Sequence, residues 1–242
     1  MVIFLLGSKS ILYFKRGSIM VNISMQLTIF TYYDDELQVW LKKDGNQYNN
    51  LTVTLPQNIQ KIELTSLIKK SIQQRLNLDI TTDQINLIHP VNKIENSIIT
   101  FPILVQLNNQ TANTISNSSD PIYENQSFYP LQSLPLQLNQ FDRQVINTSY
   151  QAIKKRLNYY SISGIAPMLP EKFTARSLSS MLSNITGNYI KYNNIKRDLA
   201  PELKIIGKDH SKRGRPVNIF TYQKPAKVAN AHDIPKTKYQ EK

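Results

Sequence analysis

Apolar and polar residues alternate through Gln26–Lys43, the pattern of a β-hairpin. Leu27, Ile29 and Phe30 lead into Tyr32-Tyr33, Asp34-Asp35-Glu36 forms the turn, and Leu37, Val39 and Leu41 alternate on the return. Leu51–Leu55 predicts a short strand closed by Pro56. From Glu63 to Leu76 the period changes to 3.6, with Leu64, Leu67, Ile68, Ile72 and Leu76 on one helical stripe. Ile85–Val91 and Ile98–Gln106 predict strands again. The run 108–120 is polar and aperiodic and predicts an exposed loop. After it, Phe128, Tyr129, Leu131, Leu134 and Leu136 bring core residues back. Strand, strand, helix and further strands indicate an α+β unit.

The second half is patterned differently. Val145, Ile146, Ala152, Ile153 and Leu157 predict a helix over Phe141–Leu157, with Lys154, Lys155 and Arg156 at its C-terminal end, where cations suit the helix dipole. Gly164, Pro167 and Pro170 break the chain. Thr174 is an expected N-cap for a helix over Ala175–Ile185, whose Leu178, Met181, Leu182 and Ile185 share one face. Thr186-Gly187-Asn188 predicts a turn. Tyr192–Leu199 predicts a second helix, with Ile195 and Leu199 inward and Asn193, Asn194, Lys196 and Arg197 mostly outward. Leu203–Ile206 and Val217–Tyr222 are strand-like, joined by a loop carrying Lys208, Lys212, Arg213 and Arg215. Tyr189, Tyr192 and Tyr222 are expected in the core or in hydrogen bonds. Gln223–Lys242 predicts a basic flexible tail.

Charge sharpens this division. The chain of 242 residues carries a formal net charge of +12, and Gln140–Lys242, with 19 Lys and Arg against 7 Asp and Glu, holds all of it. Met1–Asn139 has 10 of each and is neutral. So concentrated a surplus faces a polyanion, most commonly nucleic acid. There is no cysteine, hence neither a disulfide framework nor a thiolate metal site, and His89, His210 and His232 lack ligand spacing, so no metal is expected. The apolar Val2–Leu6 is too short for a signal-peptide core, and no transmembrane length occurs, so a cytoplasmic location and no membrane partner are expected. Residues 1–19 are expected to be an arm ahead of the domain, or to precede a true start at Met20 or Met25.

Helix, turn, helix and a β-hairpin form the winged version of the helix-turn-helix, whose second helix presents side chains to base edges in the major groove. Asn pairs bidentately with adenine and Arg with guanine. Lys191, Asn193, Asn194, Lys196 and Arg197 are therefore the expected readers or their neighbours. Thr174, Arg176 and Ser177 open the preceding helix, a place where hydroxyls and backbone N–H groups hold phosphate. Lys212, Arg213 and Arg215 would occupy the wing tip, where Arg can enter a narrow minor groove.

A series of short motifs supports this layout. Met168-Leu169-Pro170-Glu171-Lys172-Phe173-Thr174, then Gly187, Asn194-Ile195-Lys196-Arg197 and Arg213-Gly214-Arg215-Pro216-Val217-Asn218-Ile219-Phe220 resemble the C-terminal half of the Nudix-related transcriptional regulators, the NrtR family. Tyr129-Pro130-Leu131-Gln132-Ser133-Leu134-Pro135 followed by Phe141-Asp142 resembles their domain junction, and the hairpin Leu27–Leu41 with Leu55-Pro56 resembles the opening of a Nudix fold. The resemblance spans about Met20–Tyr222, and its specificity lies in the order of the series.

The resemblance implies a Nudix-like α/β/α sandwich over residues 20–139, which senses an effector and dimerises, and a winged helix-turn-helix over 140–222. It further implies a bacterial repressor of NAD-biosynthesis or sugar-utilisation genes. Its partners would be a double-stranded DNA operator, a second copy of itself, and a metabolite such as ADP-ribose or a sugar phosphate. A working Nudix site needs a glycine turn and a carboxylate-rich helix that gathers Mg²⁺ at a pyrophosphate. Here Gln57-Asn58 follow Leu55-Pro56, and the helix bears Lys69, Lys70, Ser71, Gln73, Gln74 and Arg75. Glu63 is the only acid between Pro56 and Asp79. The expectation is therefore no enzyme, no cofactor and a solvated cationic helix face. The alternatives are a basic interaction module without sequence-specific DNA binding, which docks to an acidic protein or membrane surface, and a Nudix hydrolase.

Overall fold

The computed structural model describes residues 2–6, 9–13, 22–54, 64–88, 91–93, 98–157, 161–211 and 216–225. β1 (Val2–Leu6) and β2 (Lys9–Tyr13) pair antiparallel within the segment expected as an arm. The main sheet follows. β3 (Asn22–Tyr33) turns tightly into β4 (Glu36–Asp44), with Asp34 and Asp35 both at positive φ, 51° and 59°. Two such residues match the right-handed strand twist of a hairpin, so the predicted turn is met. β5 (Gln47–Asn49) and β6 (Leu51–Thr54) come next, then helix α1 (Leu64–Leu76), β7 (Ile85–Leu87), β8 (Val91–Lys93) and β9 (Ile98–Leu107). Helix α2 (Asn109–Ser116) and β10 (Gln126–Pro130) complete this half.

The strand order is β10-β4-β3-β9-β7, with β5 beside β4, β6 beside β3 and β8 beside β9. β3 and β9 run parallel, and the other pairs are antiparallel. Period-two alternation decides the two faces. On one face Met25, Leu27, Ile29, Trp40, Ile103 and Val105 pack against Ile68, Ile72 and Leu76 of α1. Trp40 is fully enclosed there beside Phe128, with ring centroids 4.7 Å apart, and its indole N–H donates to Gln126 Oε1 at 3.0 Å. The indole therefore leaves no donor unmet.

The other face carries Phe30, Val39, Leu41 and Leu104, and is covered by α3 (Gln140–Arg156) through Ile146 and Ile153. Helices on both sides make a three-layered α/β/α sandwich within an α+β chain. α3, expected to open the second unit, thus also forms the outer layer of the first. The same buried cluster continues into α4 (Ala175–Thr186) and α5 (Tyr192–Asp198), through Leu178, Met181, Leu182, Ile185 and Ile195. Each buried Leu or Ile of that row contributes about 1.5–3 kcal/mol by leaving water.

Three expectations are corrected here. The run 108–120 is not a structureless loop, because α2 occupies its first half. Asn108 caps α2 by accepting from the Thr111 N–H at 2.8 Å, and Ala112 and Ile115 are buried at an i, i+3 spacing. A single helical turn of apolar residues is too short to show as a period. Leu136, expected in the core, is 91% exposed, in contrast to its neighbour Leu138, which is buried. Lys208, placed in a loop, lies in β12 (Leu203–Asp209), opposite Asn218 of β13 (Val217–Tyr222). Leu55 through Glu63 and residues 226–242 of the tail lie outside the described residues.

Candidate nucleic-acid interface

Thr174 begins α4 as expected. Its hydroxyl accepts from the Ser177 N–H at 3.1 Å, while Ser177 Oγ accepts from the Thr174 N–H at 3.0 Å, a reciprocal cap. Both hydroxyls are thus held at the mouth of the helix, with Ser177 and Arg176 exposed. The predicted stripe Leu178, Met181, Leu182 and Ile185 is buried throughout. α4 ends at Gly187, whose φ of 75° is left-handed and closes the helix by donating its N–H to Ser183 O at 2.8 Å.

The return is fixed by two serines of α4. Ser183 Oγ accepts the Ile190 N–H at 2.9 Å, and Ser179 Oγ donates to the Ile190 carbonyl. These bonds set where α5 starts. Ile195 and Leu199 face inward, as expected, which leaves Lys191, Asn193, Asn194, Lys196 and Arg197 exposed. Arg197 lies flat against its neighbour Asp198, with Nε–Oδ1 at 2.6 Å and Nη2–Oδ2 at 3.2 Å. That forked pair engages the guanidinium within the helix. Asn193, Asn194 and Lys196 are exposed on the same short helix.

β13 is the central strand of a three-stranded antiparallel sheet, between β12 and β11 (Phe173–Thr174). β11 runs directly into α4, so the sheet and the helix pair share one frame. Lys212, Arg213 and Arg215 lie outside the described residues, at the connection of β12 and β13.

Of the tyrosines expected in the core or in hydrogen bonds, two lie outside the core. Tyr189 is 81% exposed and Tyr192 is 44% exposed, so neither is a core residue. The Arg176 guanidinium sits over the Tyr192 ring, 5.9 Å from its centroid, linking the starts of α4 and α5. No spacing rule reveals this contact, because the partners are 16 positions apart with a turn between them. Tyr222 is half-buried, and burial foremost, with the Glu202 charge second, raises its pKa. Burial lowers the pKa of Arg156 at the end of α3.

On the first half, Lys70, Gln73, Gln74 and Arg75 of α1 are exposed, as a solvated face requires, and α1 bears no acidic residue. Among the described residues no cluster of three or more His, Cys, Asp or Glu residues could hold a metal ion. No helix among them is long and apolar enough to cross a membrane.

No protein-family model matches the chain, and no curated protein matches it. Solved structures do. NrtR of Shewanella oneidensis in complex with a 27mer DNA superposes with a TM-score of 0.62 at 17% identity, over 83% of this chain and 93% of that one. A further crystal structure of Shewanella oneidensis NrtR gives 0.63 at 18% identity, over 83% and 94%. The chain has the NrtR fold. A MutT/nudix family protein from Enterococcus faecalis follows, with a TM-score of 0.59 at 12% identity, over 84% of this chain and 88% of that one. Such coverage takes in the sandwich and the C-terminal helices and sheet together, so the likeness extends across both halves of the chain.

Proposed function

We propose that the protein is a DNA-binding transcriptional regulator, a repressor, whose Nudix-like half senses a metabolite and does not hydrolyse it. The observation that carries this reading is α5. It is a short helix held by α4, with Asn193, Asn194 and Lys196 exposed, in a half that holds all the net charge of +12. Residues 140–222 act as a winged helix-turn-helix. Asn193, Asn194, Lys196 and Arg197 meet or flank base edges. Thr174, Arg176, Ser177 and Lys191 contact phosphate, and Lys212, Arg213 and Arg215 form the wing tip. The fold shared with an NrtR that has been crystallised on DNA supports this assignment.

Two protomers would present two α5 helices to a pseudopalindromic operator. ADP-ribose or a sugar phosphate is the expected effector, shifting operator affinity through the packed junction of α3. The absence of carboxylates from α1 supports the reading that the first half does not gather Mg²⁺ at a pyrophosphate.

The test is selection of duplexes from a random pool, followed by fluorescence anisotropy on the enriched sequence. Asn194→Ala should weaken specific binding by about 1–3 kcal/mol and relax preference at one base position. Binding that is blind to sequence and vanishes at moderate salt would point instead to a basic interaction module. Metal-dependent turnover of ADP-ribose would restore the hydrolase.

A further inference from the structure

Arg176, Ser179 and Ser183 stand at i, i+3 and i+7 of α4, so they share one helical face. That face receives the return of the chain into α5. Ser183 Oγ accepts the Ile190 N–H at 2.9 Å, and Ser179 Oγ donates to the Ile190 carbonyl. With both polar backbone groups of Ile190 pinned, the chain two residues ahead of Tyr192 is fixed against α4. The third member of the face, Arg176, meets Tyr192 itself, the first residue of α5.

The described arginines of α4 and α5 are engaged at different parts of their guanidinium groups. Asp198 takes Arg197 by the edge, through Nε and Nη2. The Tyr192 ring lies under Arg176, with Cζ 5.9 Å from the ring centroid. An aromatic ring draws a guanidinium to its face, whereas the five N–H donors lie in the guanidinium plane and point out from its edge. Arg176 is exposed, and no carboxylate among the described residues pairs with it. Its edge therefore stays open to a forked acceptor, and two oxygens of a phosphate match that fork.

We propose that Tyr192 is a positioning residue for DNA binding, whose ring holds the Arg176 guanidinium so that its open edge grips one backbone phosphate. This rests on the reading of α4 and α5 as a DNA-binding pair and adds a part that neither helix supplies alone. A guanidinium ordered before contact loses less freedom when the duplex arrives. Backbone phosphate carries no base identity, so the pair sets affinity without setting sequence preference.

The test is a double-mutant cycle on Arg176 and Tyr192 in the full chain, read by anisotropy on the enriched duplex and on a scrambled one. Arg176→Ala should weaken both duplexes alike and reduce the slope of log affinity against log salt by about one. Tyr192→Leu should weaken both by about two- to fivefold, and Tyr192→Phe, which keeps the ring, should restore most of the loss. In the Arg176→Ala background, Tyr192→Leu should have no further effect. Arg176→Lys, which keeps the charge and loses the fork, should bind both duplexes more weakly than the parent. Circular dichroism checks each fold. Arg176 is exposed, so unchanged affinity in Arg176→Ala overturns the proposal whatever Tyr192→Leu does to stability. Equal losses from Tyr192→Leu in both backgrounds overturn it too, because the ring then acts through something other than Arg176. So does an altered base preference in Tyr192→Leu, which would place the ring on a base edge. A parent that prefers the enriched duplex while the cycle is additive refutes the pair and leaves the regulator reading standing. A parent with no sequence preference whose cycle is coupled keeps the pair and refutes the regulator reading. A parent that binds neither duplex refutes both.

Discussion

Asn184 on α4 donates its amide to the backbone carbonyl of Asp35 at 2.6 Å, and so ties the turn of the first hairpin to the helix before α5. The same amide donates to the Tyr32 hydroxyl at 3.0 Å. Residues 149 positions apart thereby join the two halves at a point far along the chain from α3. Asn184→Ala should lower stability by about 1 kcal/mol or less, since the bonds are partly exposed to water. Urea denaturation followed by tryptophan fluorescence measures it, and no change would mean that the tie is not maintained in solution.

Tyr32 gives the junction an alkaline limit. Burial foremost raises its pKa above the ordinary 10.0, opposed by the hydrogen bond from Asn184. A group whose pKa is raised by folding contributes fully below its unfolded pKa and loses that contribution as pH climbs through the folded one. Stability should therefore fall above pH 10, and Tyr32→Phe should shallow that fall. Tyr123, Tyr129 and Tyr150 are raised by burial as well, so only part of the slope should go. Melting temperatures from pH 8 to pH 11 in both proteins decide it.

Gly187 makes the turn between α4 and α5 at φ 75°, and an added Cβ would meet nothing within 4 Å. The cost of Gly187→Ala is thus backbone strain alone, about 1 kcal/mol. Calorimetry should show a melting point lower by a few degrees. A larger drop would mean that the start of α5 is displaced.

Asp198 holds Arg197 in a forked pair. Asp198→Asn removes one negative charge beside the proposed DNA surface and loosens one hold on the guanidinium. Duplex affinity at low salt should rise several-fold, because one anion facing a polyanion is removed. Anisotropy on the enriched duplex reads it, and unchanged affinity would place α5 away from the duplex.

Glu202 is a buried carboxylate, 3% exposed, that accepts the Ile162 N–H at 2.7 Å. It fastens the segment after α3 to the start of β12. Glu202→Ala strands that buried N–H and should cost about 1–3 kcal/mol. Glu202→Gln, which keeps an acceptor, should cost less. Equal losses in the two variants under urea would show that charge, not the hydrogen bond, matters there.

Legibility followed the range of each signal. The Thr174 cap, the α4 stripe and the Gly187 stop were legible because each is written within a dozen residues. The hairpin turn at Asp34-Asp35 was legible for the same reason. α2 was missed because two buried residues, Ala112 and Ile115, make no detectable period. Exposed Tyr189 was not foreseen because an aromatic residue at the end of a turn carries no mark of which way it faces.

By itself, the sequence determined the α+β order, the placement of α4, the Gly187 turn, α5 and the strands after them, and the confinement of charge to one half. Local spacing, capping and composition are properties of short stretches. Only the tertiary structure decided that α3 covers the first sheet, that Asp142 turns Gln26 and Asn50 toward itself across 116 and 92 residues, and that Asn184 meets Asp35. Polar side chains carry no periodic signature, and their partners are chosen by whichever donor or acceptor burial brings within reach.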